Sequence, residues 1–349
     1  ESVCTGCSTG CSIHIDQNEG QVYRLRPREN PLAQGRFMCD EGRFGFHYIH
    51  DPNRLISPRV GKAPVAGETT PAKNSPIEID PWPNAIDAVR QAFQQREKRN
   101  LAILSPFMTC EEAYLLAHWM KSLPSPARLL LGPVPVVGVD DHYPKGPHGE
   151  NPSPRSAKFT IRAEKAPNLV GVSIVLKHFE GDLLPWESAN AELNIGNFDQ
   201  VYIVGGSPGY PDLLERELFK SIDFLVVQDI LPSTLSTYAN VVLASASFAE
   251  REGTIVNHAS LAQSLKPAIR PPGEARQDGR IFMQLAGRTG LFHAASLRDE
   301  MAELIPAFAP WKGQSLEPNG IPLEKKSLTA TVVDVVRQPI GPSTGKGAS

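Results

Sequence analysis

The chain has 349 residues, 41% of them hydrophobic and 21% charged, and a formal net charge of −3. That length accommodates two domains, or one large domain with an appendage, and the near-neutral charge gives no reason to expect nucleic-acid binding. No run of 18 apolar residues occurs, so no membrane-spanning helix is expected, and the 32 prolines, about twice the usual share of roughly 5%, predict much loop and linker.

The chain opens at Glu1 with no initiator Met and no charged-then-apolar leader, and its cysteines begin three residues in. It reads as a fragment or processed product of a longer polypeptide. Three of its five cysteines, Cys4, Cys7 and Cys11, stand in CTGCSTGC, and Cys39 in FMCDEGRFGF completes a Cys-x2-Cys-x3-Cys-x27-Cys set. An odd, clustered set of thiols does not suit a disulfide framework in a chain this long. A 4Fe–4S cubane needs one thiolate on each of four iron corners. A short loop wraps three of them, with Gly6 and Gly10 tolerating positive φ, and the fourth returns after a hairpin. Ser12 to Ile15 and Gln21 to Leu25 are its predicted strands, with Asn18-Glu19-Gly20 as the turn. Structural zinc is the alternative, although zinc sites favour two separated cysteine pairs; unligated thiols are a third reading. Arg24, Arg26, Arg28, Arg36 and Arg43 lie along this segment. Guanidinium groups favour reduction of a cluster near −2 charge, but each arginine taken singly reads as a solvated surface charge.

The stretch from VCTGCSTGC to HDPNRLISP resembles the 4Fe–4S domain that opens the molybdopterin oxidoreductase superfamily. Within that superfamily, the 27-residue gap before Cys39 and the CDEGRF ending resemble the large iron–sulfur subunits of NADH:quinone oxidoreductase, respiratory complex I. The resemblance implies that Cys4, Cys7, Cys11 and Cys39 ligate the cluster.

Further along, residues 57–82 read as a linker. Ala85 to Lys98 is a predicted helix and Leu101 to Leu104 a short buried strand. Thr109 starts a helix through about Ser122, with Glu111 and Glu112 in its first turn, and Arg128 to Leu131 is a strand. Residues 132–170 show little periodicity. Regular elements return with Gln200 to Val204 (strand), Leu213 to Lys220 (helix), Phe224 to Gln228 (strand) and Val241 to Ala244 (strand). The expected fold is α/β: a small 4Fe–4S domain with a β-hairpin (1–58), a linker (59–82) and a truncated doubly wound domain (83–290). A C-terminal extension (291–349) follows, with a disordered tail from 338.

The stretch FLVVQDILPSTLSTYANVVLASASFAEREGTIVNHASLAQ also resembles those complex I subunits, as does EKAPNLVGV at 164–172; the superfamily's large domain is commonly far longer. Three departures make molybdopterin an unexpected cofactor. In the pterin-bearing enzymes a lysine typically stands two residues after the fourth cysteine, where this chain has Glu41. The stretch LLLGPVPVVGVDDHYP offers no thiol or hydroxyl in its apolar part for a metal, with Asp140 and Asp141 poor substitutes. GGSPGYPD keeps its glycines, but ANVVLA and HASLAQ lack the usual charged residues. The domain therefore reads as a scaffold without the cofactor.

Cys110 begins a helix and reads as a structural thiol. Gly205-Gly206-Ser207-Pro208-Gly209 matches Gly-x-Ser-x-Gly, with Asp229 and His258 in hydrolase order, but Pro208 lacks the N–H an oxyanion hole needs. No dinucleotide fingerprint opens a helix after a strand. His14, His47, His50 and His258 are scattered, and Trp82, Trp119, Trp186 and Trp311 read as core or interface anchors. The resemblance implies an electron-relay subunit with one 4Fe–4S cluster and no independent catalytic centre. It would work with other subunits of a complex I-like peripheral arm, held at the cytoplasmic side of the inner membrane through that complex. In the family, the cluster held by this motif lies off the main electron path. A molybdopterin-dependent oxidoreductase and a zinc-stapled interaction module are the alternatives.

Overall fold

Alternating side chains in SIHIDQN and QVYRLRP build the first sheet. In the computed structural model, which describes residues 1–61, 81–316 and 318–324, β1 (Ser2–Val3), β2 (Ser12–Asn18) and β3 (Gln21–Pro27) pair antiparallel in that order. Glu19 and Gly20 turn the hairpin at φ of 50° and 82°, the paired left-handed residues that match strand twist. Pairing runs from Ile13↔Pro27 to Asn18↔Gln21, with a bulge at Asp16/Gln17, so both strands outrun their predicted ends. After an irregular stretch comes α1 (Asp40–Phe44).

β4 (Arg59–Val60) lies in the expected linker, whose residues 62–80 fall outside the described residues, and α2 (Trp82–Phe93) closes it. The alternating part follows: β5 (Asn100–Leu104), α3 (Cys110–Ser122), β6 (Arg128–Leu131), a ribbon of β7 (Asp141–Tyr143) and β8 (Phe159–Ile161), then α4 (Leu169–Glu180) and α5 (Trp186–Leu193). β9 (Gln200–Val204), β10 (Phe224–Asp229), α6 (Thr234–Tyr238) and β11 (Val241–Ala244) complete it. The central sheet has the order β4-β11-β10-β9-β5-β6, all parallel except the edge strand β4. Numbered by appearance, its parallel strands read 2-1-3-4-5. Winding reverses between β5 and β9, and in open α/β sheets ligands bind beyond the carboxyl ends of the strands at such a point.

Period-2 burial gives this sheet two faces. Ala102, Leu104, Tyr202 and Val204 join one core, under α2, α3 and α4; Leu101, Ile103, Val201 and Ile203 join the other, with Trp186 and Leu235. Cover on both faces is what a doubly wound sheet requires. The chain ends with β12 (Gly253–Val256), β13 (Leu261–Leu265), α7 (Asp278–Leu285), α8 (Ala294–Leu304) and β14 (Ile321–Pro322), the last paired to β13. Trp311, Phe308 and Leu316, in the expected extension, are buried in the main core; the expected tail from 338 lies outside the described residues.

Two expectations need correction. The predicted helix Leu213 to Lys220 is two 3-10 turns, Pro211–Leu213 and Arg216–Phe219, because Leu214 between them is extended at φ −85°, ψ 120°. Conversely, the sequence predicts no element for α4, which begins where the aperiodic stretch 132–170 ends. Its first eight residues, LVGVSIVL, are all buried, and a helix buried all round shows no amphipathic stripe.

The first 58 residues share their core with the rest. Val3, Ile13, Leu25, Phe46 and Ile49 pack with Phe159, Phe248, Ile255 and Leu265. Arg54 forms a buried bidentate pair with Glu250, at 3.1 and 2.9 Å.

Candidate metal centre

β1 and β2 leave the loop 4–11 as their connection, and the Cys4 N–H to Cys11 carbonyl bond of 2.8 Å closes it. The loop is clamped from outside. The Ser8 N–H donates to the Glu164 carbonyl, the His258 N–H to the Ser8 carbonyl, Asn257 Nδ2 to the Thr9 carbonyl (each 2.9 Å), and Gln263 Nε2 to the Gly10 carbonyl at 2.8 Å. Gly10 has φ of +64°, and a Cβ there would stand 2.9 Å from Asn257 Cβ, so the turn and the docking both need glycine. Gly6, expected to share this role, is not at positive φ; its N–H instead donates to Cys4 Sγ at 3.5 Å. Cys39 caps α1, its Sγ accepting from the Gly42 N–H at 3.3 Å.

All four thiols line one pocket, with Gly6, Gly10, Met38, Glu41, Gly42 and Phe159. They ring it rather than converge on one point: among the described residues no three His, Cys, Asp or Glu side chains gather as one ion would need. Burial, reinforced by Cys7, pushes the Cys4 thiol up to about 12; burial also raises Cys11 and Cys39. Such thiols give up their protons to a metal rather than to water, so binding here would release protons. The donor set fits an iron–sulfur cluster: four sulfurs around one apolar-walled space, with two backbone N–H groups on sulfur that favour the charged form.

Behind this pocket lies a crevice of about 270 Å³. It is lined by Cys4 and Gly42 on one side, by Phe46, Tyr48, Phe107 and Phe248, and by Gly206 and Ser207 after β9. It therefore stands at the switch point of the sheet. Lys165 and Glu41 face into it as an ion pair of 2.6 Å. None of the five N-terminal arginines lines the thiol pocket. Arg24 and Arg26 bind Asp16, Arg36 binds Glu29, Arg43 lies 3.9 Å from Asp40, and Arg28 reaches the Pro318 carbonyl.

The remaining candidates are held elsewhere. Cys110 is fully buried with Sγ 3.7 Å from Asn168 Oδ1, and burial raises its pKa. Ser207, Asp229 and His258 do not assemble: Asp229 accepts from the Gly206 and Ile230 N–H groups, and His258 faces Ser8. Gly205 instead permits close approach, since a Cβ would lie 2.4 Å from the Asp229 carboxyl. Asp140 accepts from Arg162 and the Ala163 N–H, and Asp141 from Tyr143, so neither is free for a metal. Sequence reasoning missed the roles of Lys165, Asn257, Gln263 and the backbone of His258. They stand more than 120 positions from the residues they serve, and no local spacing signals them.

Residues 1–51 match the model of the molybdopterin oxidoreductase Fe4S4 domain, and residues 162–288 that of molybdopterin oxidoreductase. The chain therefore carries the Fe4S4 domain and a molybdopterin oxidoreductase domain of the molybdopterin oxidoreductase family. Among curated relatives, it is 35% identical over 158 residues to the alpha subunit of the F420-dependent formate dehydrogenase 2 of Methanococcus maripaludis, covering 39% of this chain and 23% of that one. It is 34% identical over 120 residues to an NADH-quinone oxidoreductase subunit of Streptomyces coelicolor, covering 34% of this chain and 13% of that one. The matches thus span less than a quarter of these relatives' length. Acetylene hydratase from Pelobacter acetylenicus aligns over 82% of this chain and 69% of its own, at 9% identity and a TM-score of 0.39.

Proposed function

We propose that this chain is the iron–sulfur part of an electron-transfer subunit in a complex I-like NADH:quinone oxidoreductase, with one 4Fe–4S cluster held by Cys4, Cys7, Cys11 and Cys39. The observation that carries the reading is the single pocket ringed by all four thiols, together with the Fe4S4 match over residues 1–51. The cluster supplies one-electron exchange between its 2+ and 1+ states. The protein's own part is to seat it: the clamps on Ser8, Thr9 and Gly10 fix the loop, and Met38 and Phe159 wall out water. Partner clusters on other subunits would complete a path, with the chain peripheral to the membrane through them. No helix among the described residues is long and apolar enough to cross a membrane.

The Streptomyces relative and the CDEGRF ending support this reading, and the archaeal relative supports a formate dehydrogenase-like enzyme equally. The size of the crevice also bears on the choice. Sites for one drug-sized ligand run about 300–1,000 Å³, and a crevice of about 270 Å³ lies just below that range, which supports a domain without pterin. Glu41 adds a carboxylate to the crevice and engages the Lys165 ammonium there. The large domain then serves as scaffold.

Elemental analysis of anaerobically purified protein tests this. Roughly four irons and four sulfides per chain, without molybdenum or tungsten, are expected, with one EPR signal on dithionite reduction that Cys39→Ala abolishes. Stoichiometric molybdenum or tungsten with extractable pterin would establish the enzyme reading instead, and zinc alone would exclude both.

A further inference from the structure

Two charges stand between the thiol pocket and the crevice. Glu41 lines both cavities, and Lys165 lines the crevice beside Cys4 and Gly42. The lysine's place is set by backbone: its N–H donates to the Pro135 carbonyl at 2.7 Å, while the carbonyl of its neighbour Glu164 accepts from Ser8 in the cysteine loop. The Lys165 side chain is only 13% exposed, against 57% for Glu41, so its charge is less screened by water and salt. Both charges reach Cys39, the glutamate opposing its thiolate more strongly than the lysine favours it. The five arginines of the N-terminal segment are engaged away from the pocket.

We infer that Lys165 raises the reduction potential of the cluster from the crevice side, where Glu41 pairs with its ammonium. The inference rests on the 4Fe–4S reading of the four cysteines. Reduction adds one electron, and so one negative charge, to a cubane already near −2 with its four thiolates. The largely buried cation stabilises that added charge more than the oxidised state, and the Glu41 carboxylate, which lines the thiol pocket itself, opposes it. Lys165 is thus a tuning residue that touches neither iron nor substrate, and residues far along the chain write the potential of a site built from the first 39.

The test is potentiometric titration of the cluster's EPR signal in the intact chain, with iron counted in each sample. In Lys165→Met the reduced-to-oxidised ratio at a fixed potential should fall about tenfold, a downward shift of about 59 mV for one electron. Lys165→Gln, polar and uncharged, should give the same result if the Met variant fails to retain iron. Lys165→Arg should stay within threefold of the parent. Removing the carboxylate from the lysine-less chain, K165M with E41Q, should move the potential back toward the parent. Full iron with an unchanged potential in Lys165→Met or Lys165→Gln overturns the inference and leaves the cluster reading intact. A parent chain with no four-iron signal overturns both.

Discussion

Asp229 shows how one buried side chain makes stability depend on pH. It ends β10, is fully buried, and accepts from the Gly206 and Ile230 N–H groups. Burial raises its pKa to about 7, only partly countered by those two bonds. A carboxyl raised above its unfolded value near 3.9 binds more protons folded than unfolded. Its contribution is therefore complete below about pH 4 and is lost as pH rises through about 7. The loss is on the order of a few kcal/mol. Asp229→Asn keeps an oxygen for both N–H groups and cannot ionise. Urea midpoints from pH 4 to 8 should fall less steeply with pH in Asp229→Asn than in the parent; parallel curves would show that Asp229 does not titrate in this range.

At the scale of elements, the cysteine loop depends on the β12–β13 hairpin it docks against. Asn257 and Gln263 hold Thr9 and Gly10 from that hairpin. Gly10→Ala meets Asn257 Cβ at 2.9 Å and forces a side chain into the left-handed region. Strain of this kind costs about 1–3 kcal/mol. We expect Gly10→Ala to lower thermal stability and to weaken iron retention against a chelator, while a substitution at the exposed hairpin turn, Gly20→Asn, leaves iron retention unchanged. Equal chelator half-lives for Gly10→Ala and the parent would refute this. Asn tolerates the left-handed φ of 82° at that turn, and a Cβ there meets nothing within 4 Å. The hairpin and most central strands were legible in the sequence, because their periodicity and turn residues are local. Helix α4 was not, since its all-apolar face reports burial rather than period, and Leu213 to Lys220 carried a helical pattern that the extended Leu214 interrupts.

Across the whole molecule, the small lobe and the large domain are one packed body at the thiol site. The buried Arg54–Glu250 pair joins them, both side chains 3% exposed or less, and the third core mixes residues from positions 3 to 265. Arg54→Met leaves Glu250 buried without its cation, at a cost of about 3–5 kcal/mol. Thermal denaturation should then show one lowered transition, with the iron signal and the far-UV signal lost together. Loss of iron well below the main transition would mean that the lobe unfolds on its own. What the sequence determined by itself is the candidate donor set and the parallel strands: the spacing of Cys4, Cys7, Cys11 and Cys39 singles them out, and alternation announces the strands. Tertiary structure alone decided which distant side chains clamp the cysteine loop, which ion pair lines the crevice, and how large the crevice is. Those properties depend on contacts across more than a hundred residues, and local periodicity carries no record of them.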